Sequence, residues 1–233
     1  MLKIFIITEE FMNNKFVLSF SGGKDSIMAM YRMIQKGYEP YALIMTVKDN
    51  GNRSWTHSIE KKIIDEYRKK LGVRIDCVEC GISDYEKSFE EKLMEFRQEG
   101  VNICVFGDID IEEHLRWNID RCKKAGMTAV MPLENIDREK AVMDFIDSGF
   151  DGIIKKVNAD YLDDTFLGLH INKDTIEKFR KKGIDLCGEN GEYHTIVVSG
   201  PLFKERIDIS PQKDENGEII IEREYNSAIL KMI

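Results

Sequence analysis

Val17-Leu18-Ser19-Phe20-Ser21-Gly22-Gly23-Lys24-Asp25-Ser26-Ile27 runs from a short apolar stretch through a glycine pair into residues at helical spacing. The apolar run predicts a buried strand ending at the glycines. Ile27, Met30, Tyr31 and Ile34 then recur on one helix face, and Gly37 stands where a left-handed C-terminal cap belongs. A strand, a glycine turn and a helix in that order make an anion site. Glycine lets the backbone approach closely, and the first amides and dipole of the helix favour negative charge. Ser21 and Ser26 add hydroxyls and Lys24 adds a cation. Asp25 beside phosphates makes sense as a magnesium ligand or an amide anchor. The spacing is not the GxxxxGK[ST] of loops that cradle a γ-cleaved triphosphate. A strand-to-helix turn that happens to be rich in Gly and Ser is the bland alternative; the whole hexapeptide favours phosphate binding.

The same alternation continues outward. Residues 41–47, 75–78, 101–106 and 128–131 read as further strands. Stripes at Ile59, Ile63, Tyr67 and Leu71, at Phe89, Leu93 and Phe96, and at Leu115, Ile119 and Cys122 read as helices, with Gly72 and Gly100 as stops. The nearly continuous apolar run at 101–106 is what a strand covered on both faces requires. The expected fold class is therefore α/β: a parallel, Rossmann-like nucleotide-binding sheet with helices on both faces. Ligands in such sheets sit at the strands' carboxyl ends, where Ser21-Gly22-Gly23 and Gly107-Asp108 fall. Residues 1–134 are assigned to this domain and 135–233 to a smaller C-terminal α+β substrate domain. That second domain has helices near 142–146 and 176–182, strands at 153–157 and 196–198, and a hairpin pairing 206–209 with 218–223 around Asn216-Gly217. Residues 1–11 read as an added edge strand or an over-extended start.

Forty-two acidic against 34 basic residues leave a formal charge of -8, which repels a phosphate backbone and argues against generic nucleic-acid binding. No apolar run approaches the ~20 residues of a membrane span. The opening residues lack a secretory pattern, and five scattered cysteines suit reduced thiols, so a cytoplasmic protein is expected. Cys77 and Cys80 have the spacing of a redox or metal pair, but no second pair accompanies them. His57 lies where adenine-binding loops occur, or is a polar residue at a helix start. His170 and Trp117 read as surface or packing residues.

Two further clusters carry chemistry. In Gly107-Asp108-Ile109-Asp110-Ile111-Glu112-Glu113-His114-Leu115-Arg116, Glu112 and Arg116 share a helix face, as do Asp110 and His114 if the turn starts early. Helix capping competes with a site there. Cys187-Gly188-Glu189-Asn190-Gly191-Glu192-Tyr193-His194-Thr195 precedes an apolar strand and is the densest polar cluster in the chain. Its carboxylates, amide and imidazole can bind a cationic or amide-bearing substrate, hold a metal or move protons.

The Ser21–Ser26 hexapeptide resembles the pyrophosphate loop of the ATP pyrophosphatases of the adenine nucleotide alpha hydrolase-like (HUP) superfamily. With Leu162-Asp163-Asp164-Thr165-Phe166-Leu167-Gly168, the 187–195 cluster and Ser199-Gly200-Pro201-Leu202-Phe203, residues 15 to about 209 look like the diphthine–ammonia ligase family. That resemblance implies ATP and Mg2+, cleavage to AMP and pyrophosphate, an adenylated carboxylate, and ammonia as amine donor. Ser19, Ser21, Gly22, Gly23, Lys24, Asp25, Ser26, Gly107 and Asp108 are expected on ATP, with Lys24, Asp25 and His194 catalytic and Asp25 at the metal. Glu112, His114, Arg116, Glu189, Asn190, Glu192, His194 and Thr195 are expected at the substrate. The family typically reads Glu-Gly-Gly-Glu-aromatic-Glu-Thr where this chain has Asn190 and His194. The Glu-Asn-Gly-Glu-aromatic-His-Thr form looks more like a sister branch linked to corrinoid salvage. The acceptor is thus a modified protein side chain or a corrinoid-type carboxylate, and a homodimer is allowed for. A tRNA thiolase and a non-catalytic ATP or AMP sensor are the rival readings.

Overall fold

The computed structural model describes residues 14–48 and 53–233, so the expectation for residues 1–11 lies outside the described residues. The chain divides into two compact units, each taken by itself. The first comprises 14–20, 25–48 and 73–135. The second comprises 21–24, 53–72 and 136–233.

The first unit is built on β1 (Lys15–Ser19), β2 (Glu39–Lys48), β3 (Ile75–Cys80), β4 (Ile103–Val105) and β5 (Thr128–Val130), with α1 (Lys24–Gln35), α3 (Tyr85–Gln98) and α4 (Glu112–Lys124). The helix between β2 and β3, α2 (Lys61–Leu71), is counted with the second unit. All four strand pairings are parallel, in the order β3-β2-β1-β4-β5. The chain therefore winds outward from β1 to β3 and returns to the other side of β1 at β4, so the strand order reverses between β1 and β4. Crevices at such reversals receive ligands in open α/β sheets.

Burial explains the apolar runs. Val17, Ala42, Ile44 and Cys104 pack with Phe89, Leu93 and Phe96 of α3 and Cys122 of α4 on one face. Phe16, Leu18, Leu43, Met45 and Val105, which alternate with them, are equally buried. Each such side chain contributes roughly 1.5–3 kcal/mol of apolar burial.

The second unit holds an antiparallel sheet in the order β7-β6-β9-β8, from β6 (Asp151–Asn158), β7 (Tyr193–Ser199), β8 (Ile221–Glu224) and β9 (Ser227–Leu230). With it go α2, α5 (Arg138–Asp147) and α6 (Lys173–Lys182). Asp137 caps α5 by accepting from Lys140 N, and Asn172 caps α6 by accepting from Thr175 N. Gly72 closes α2 in the left-handed conformation.

One expectation is corrected. Residues 206–209 form no strand, and the hairpin is β8 with β9, turning at Tyr225-Asn226. Asn216-Gly217 does make a turn, but Asp214 holds it by accepting from Asn216 N and Glu218 N, and the pairing across it is confined to the bonds Asp214 N to Glu218 O and Ile220 N to Gln212 O around the Lys213–Ile219 bridge. Arg206 instead turns its guanidinium to Asp151.

Candidate functional site

In the second unit the glycine loop is bound to β7. Val197 N donates to Gly22 O at 2.9 Å, and Lys24 N donates to Thr195 Oγ1 at 3.0 Å. Gly22 has φ +78, and Gly23 N reaches Ser21 Oγ at 3.2 Å. The imidazole of His57 covers Gly23 so closely that a Cβ there would lie 2.3 Å from His57 Cε1. His57 Nδ1 sits 2.7 Å from Thr195 O. A carbonyl only accepts, so Nδ1 carries the proton. Glycine at position 23 is thus needed for close approach.

Lys24 is 4% exposed, and its Nζ stands 5.5 Å from the centre of the Tyr193 ring. Tyr193 and Thr195 are buried members of β7 with His194 between them, so the strand starts three residues earlier than its apolar core suggests. The rings of His194 and His57 lie 4.8 Å apart. His194 keeps some accessible surface but is densely enclosed. Burial first, then the charges of His57, Lys156 and Lys24, hold its imidazole well below the usual histidine range.

That depression sets a direction with pH. Between the folded value and about 6.5, the unfolded chain binds a proton that the folded chain refuses. The resulting stability is complete above about pH 6.5 and is lost as pH falls through the folded value, at up to ~1.4 kcal/mol per pH unit. Chemical denaturation at steps from pH 7.5 to 4.5 should show the wild type weakening more steeply than His194→Gln. Parallel curves would remove the basis for a neutral His194.

Glu192 is almost wholly buried. Its carboxylate accepts from Asp185 N at 3.2 Å, and from Asn190 N and Asn190 Nδ2 at 3.1 Å each. Asp185 in turn accepts from Glu189 N and Cys187 N and pairs with Arg138 at 2.9 Å. Arg138 also donates to Asn190 Oδ1 at 3.1 Å. The two buried or half-buried acids therefore shape the 185–192 turn that carries Glu189 and Asn190.

In the first unit, Asp25 and Ser26 open α1, with Ser26 buried. Gly107, after β4, passes so close to them that a Cβ would meet Asp25 C and Ser26 N at 2.8 Å. Backbone at that distance cannot yield as a side chain can, which is a reason for glycine at the switch point. Asp108 accepts from Asn118 Nδ2 at 2.7 Å and stands 3.5 Å from His114 Nδ1. Glu112 and Arg116 pair with each other in solvent. Ser19 ends β1. Cys77 is exposed and Cys80 buried on β3, and no helix among the described residues is long and apolar enough to cross a membrane.

Tyr67 and Lys156 enter the neighbourhood without a signal of their own: Tyr67 reads in sequence as one more residue of an apolar stripe, and its hydroxyl turns out to reach Gly22 O at 3.0 Å. His57 did carry a signal, its place after the second strand.

The doubly wound sheet and the Ser-Gly-Gly-Lys-Asp-Ser loop define a nucleotide-binding α/β protein of the PP-loop class. More closely, the chain belongs to the diphthamide synthase family, whose N-terminal domain matches residues 14–129 and whose C-terminal domain matches residues 137–227. It is 28% identical over 210 residues to a diphthine–ammonia ligase of Schizosaccharomyces pombe, covering 80% of this chain but 34% of that protein. The diphthine–ammonia ligase of Rattus norvegicus is 28% identical over 214 residues (80% and 79%), and that of Homo sapiens 27% over 228 (86% and 83%). A solved structure, a predicted subunit of tRNA methyltransferase from Methanocaldococcus jannaschii DSM, is similar at a TM-score of 0.44 and 16% identity, over 83% of this chain and 100% of that one.

Proposed function

We propose that this protein is an ATP-dependent carboxylate–ammonia ligase that forms AMP and pyrophosphate. The observation that carries the reading is the glycine loop fastened at Gly22 and Lys24 to β7, the strand that also bears His194 and Thr195. One rigid strand thereby serves both the candidate phosphate loop and the candidate acceptor residues, which is how positioning lowers a barrier without a protein nucleophile. Ser21, Gly22, Gly23, Lys24 and Ser26 hold the phosphates, together with Ser19, Gly107 and Asp108 at the strand ends. The acceptor carboxylate attacks the α-phosphorus and pyrophosphate leaves. Ammonia then attacks the acyl carbon and AMP leaves. His194, kept neutral, accepts a hydrogen bond from the incoming amine and then its proton. Asp25, a half-buried carboxylate, would hold Mg2+ through its hard oxygens, and the ion would supply neutralising charge beside the phosphates.

On the acceptor, the names of the relatives point to diphthine and one observation points elsewhere. Lys24, Lys156 and His57 all bear on His194, an electropositive surround that suits a carboxylate and disfavours the quaternary ammonium of diphthine. The acceptor residues would be Glu189, Asn190, His194 and Thr195, with Glu192 holding their turn, and with Glu112, His114 and Arg116 the outlying candidates. We place a corrinoid-type carboxylate, the substrate of the sister branch it resembles, beside diphthine on that ground.

The deciding experiment incubates the protein with ATP, Mg2+ and ammonium and either diphthine-bearing elongation factor or corrinoid acids, and separates AMP from ADP. Acceptor-dependent AMP and pyrophosphate are expected. ADP as product, or nucleotide binding without turnover on every acceptor, would leave a sensor or an unrelated phosphate binder instead.

A further inference from the structure

Tyr67 is fully buried on α2, and a phenol with no access to water costs several kcal/mol unless its hydroxyl is bonded (roughly 2–7 for an unpaired hydroxyl). Ile63, Ile64 and Leu71 on the same stripe are buried too, so packing alone would be met by phenylalanine. The hydroxyl has one proton and two carbonyls in reach: Val197 O at 2.7 Å and Gly22 O at 3.0 Å. Burial pushes the phenol far above its usual range, so it remains a donor at every working pH. Val197 N donates to the same Gly22 carbonyl at 2.9 Å. The phenol shares its one proton between Val197 O, the nearer, and Gly22 O, so the Gly22 carbonyl is faced by a full donor from β7 and a shared one from α2.

The geometry points to Tyr67 as the positioning residue of the phosphate loop. In a trans peptide the carbonyl and the next amide point in opposite directions. Drawing the Gly22 carbonyl toward Tyr67 and β7 thus turns the Gly23 N–H the other way and keeps an oxygen's negative charge off that side. The Gly23 amide meets Ser21 Oγ at 3.2 Å, a long bond that a phosphate oxygen can replace. Ile59 completes the seat: a Cβ on Gly22 would lie 2.5 Å from Ile59 Cδ1 and 3.2 Å from the Tyr67 hydroxyl, and φ of +78 already favours glycine. The ligand of the turned amide is the pyrophosphate end of a nucleoside triphosphate. This rests on the reading of the loop as phosphate-binding.

The test is calorimetric binding of ATP, inorganic pyrophosphate and AMP to wild type and Tyr67→Phe. Loss of one net hydrogen bond corresponds to about a tenfold change in affinity. ATP and pyrophosphate should weaken about tenfold while AMP, which lacks the pyrophosphate end, stays within twofold. A general loosening of the fold would weaken all three alike and overturn the inference, as would unchanged pyrophosphate binding. Gly22→Ala, which forces the loop off its seat against Ile59, should give the same split and serves if Tyr67→Phe folds poorly. Wild type that binds neither ATP nor pyrophosphate would sink the phosphate-loop reading itself, a result distinct from an equal loss in the variant.

Discussion

Lys155→Met should lower the unfolding free energy by about 3 kcal/mol, the lower end of what removing one partner of a buried ion pair costs. Lys155 lies in β6 with no exposed surface. Its ammonium donates to Glu60 Oε1 at 3.0 Å and also to Leu230 O. Burial pushes its pKa down and the Glu60 charge pulls it back up, so the lysine is tolerated because of the carboxylate. Glu60 is mostly buried in turn. Its Oε1 also accepts from Met232 N at 3.2 Å, while Oε2 is buried with no hydrogen-bond partner. Methionine matches the length of the lysine stem, so the expected loss comes from stranding the Glu60 charge and opening the Leu230 contact rather than from a cavity. The double variant Lys155→Met/Glu60→Gln should therefore regain most of the stability, as coupled neighbours do. Urea titration monitored by tryptophan fluorescence checks both variants. A loss under 1 kcal/mol for the single variant, or a double variant worse than it, would remove the pair from the account of this unit.

That pair also shows where the sequence stops being readable. The five parallel strands were legible because strands covered on both faces become continuous apolar runs, as in Val17-Leu18 and 103–105. The helices between them were legible from stripes and terminal glycines such as Gly72. Lys155 was not: a lysine in a run ending Lys155-Lys156-Val157 reads as solvated until Glu60, 95 residues away, is placed beside it. The start of β7 was hidden because Tyr193, His194 and Thr195 look like the tail of a polar turn, though Tyr193 and Thr195 are buried. The β8–β9 hairpin was missed because an Asn-Gly pair is a turn signal without being a strand signal, and Asp214 closes that turn locally. At the candidate site, the hexapeptide was plain from residue types alone. The parts set by tertiary hydrogen bonds were not, as with His57 on the Thr195 carbonyl and Tyr67 on Gly22.

Lys24→Met should reduce acceptor-dependent AMP formation by roughly 10²–10³ in kcat/KM, the range for removing one preorganised group that faces developing charge. Lys24 begins α1, and its backbone amide is bound to Thr195, so its position is set independently of its side chain. The side chain is nearly buried, with the ammonium 5.5 Å from the Tyr193 ring centre, where water screens it little. A fixed cation in such surroundings stabilises a leaving pyrophosphate more than it stabilises the bound triphosphate, so kcat should suffer beyond KM. Methionine preserves the stem against Tyr193, so unfolding free energy should change little. A second readout separates charge from shape. Lys24 is among the charges that hold His194 down, so its removal should let the His194 imidazole titrate at higher pH, visible by NMR of the ring protons. Lys24→Arg keeps the charge and should leave that titration depressed, but its planar fork will not reproduce the ammonium's point contact, and activity should recover only in part. Wild-type turnover in Lys24→Met would take the lysine out of the phosphate site, and an unmoved His194 titration would remove its charge from the surroundings of that imidazole.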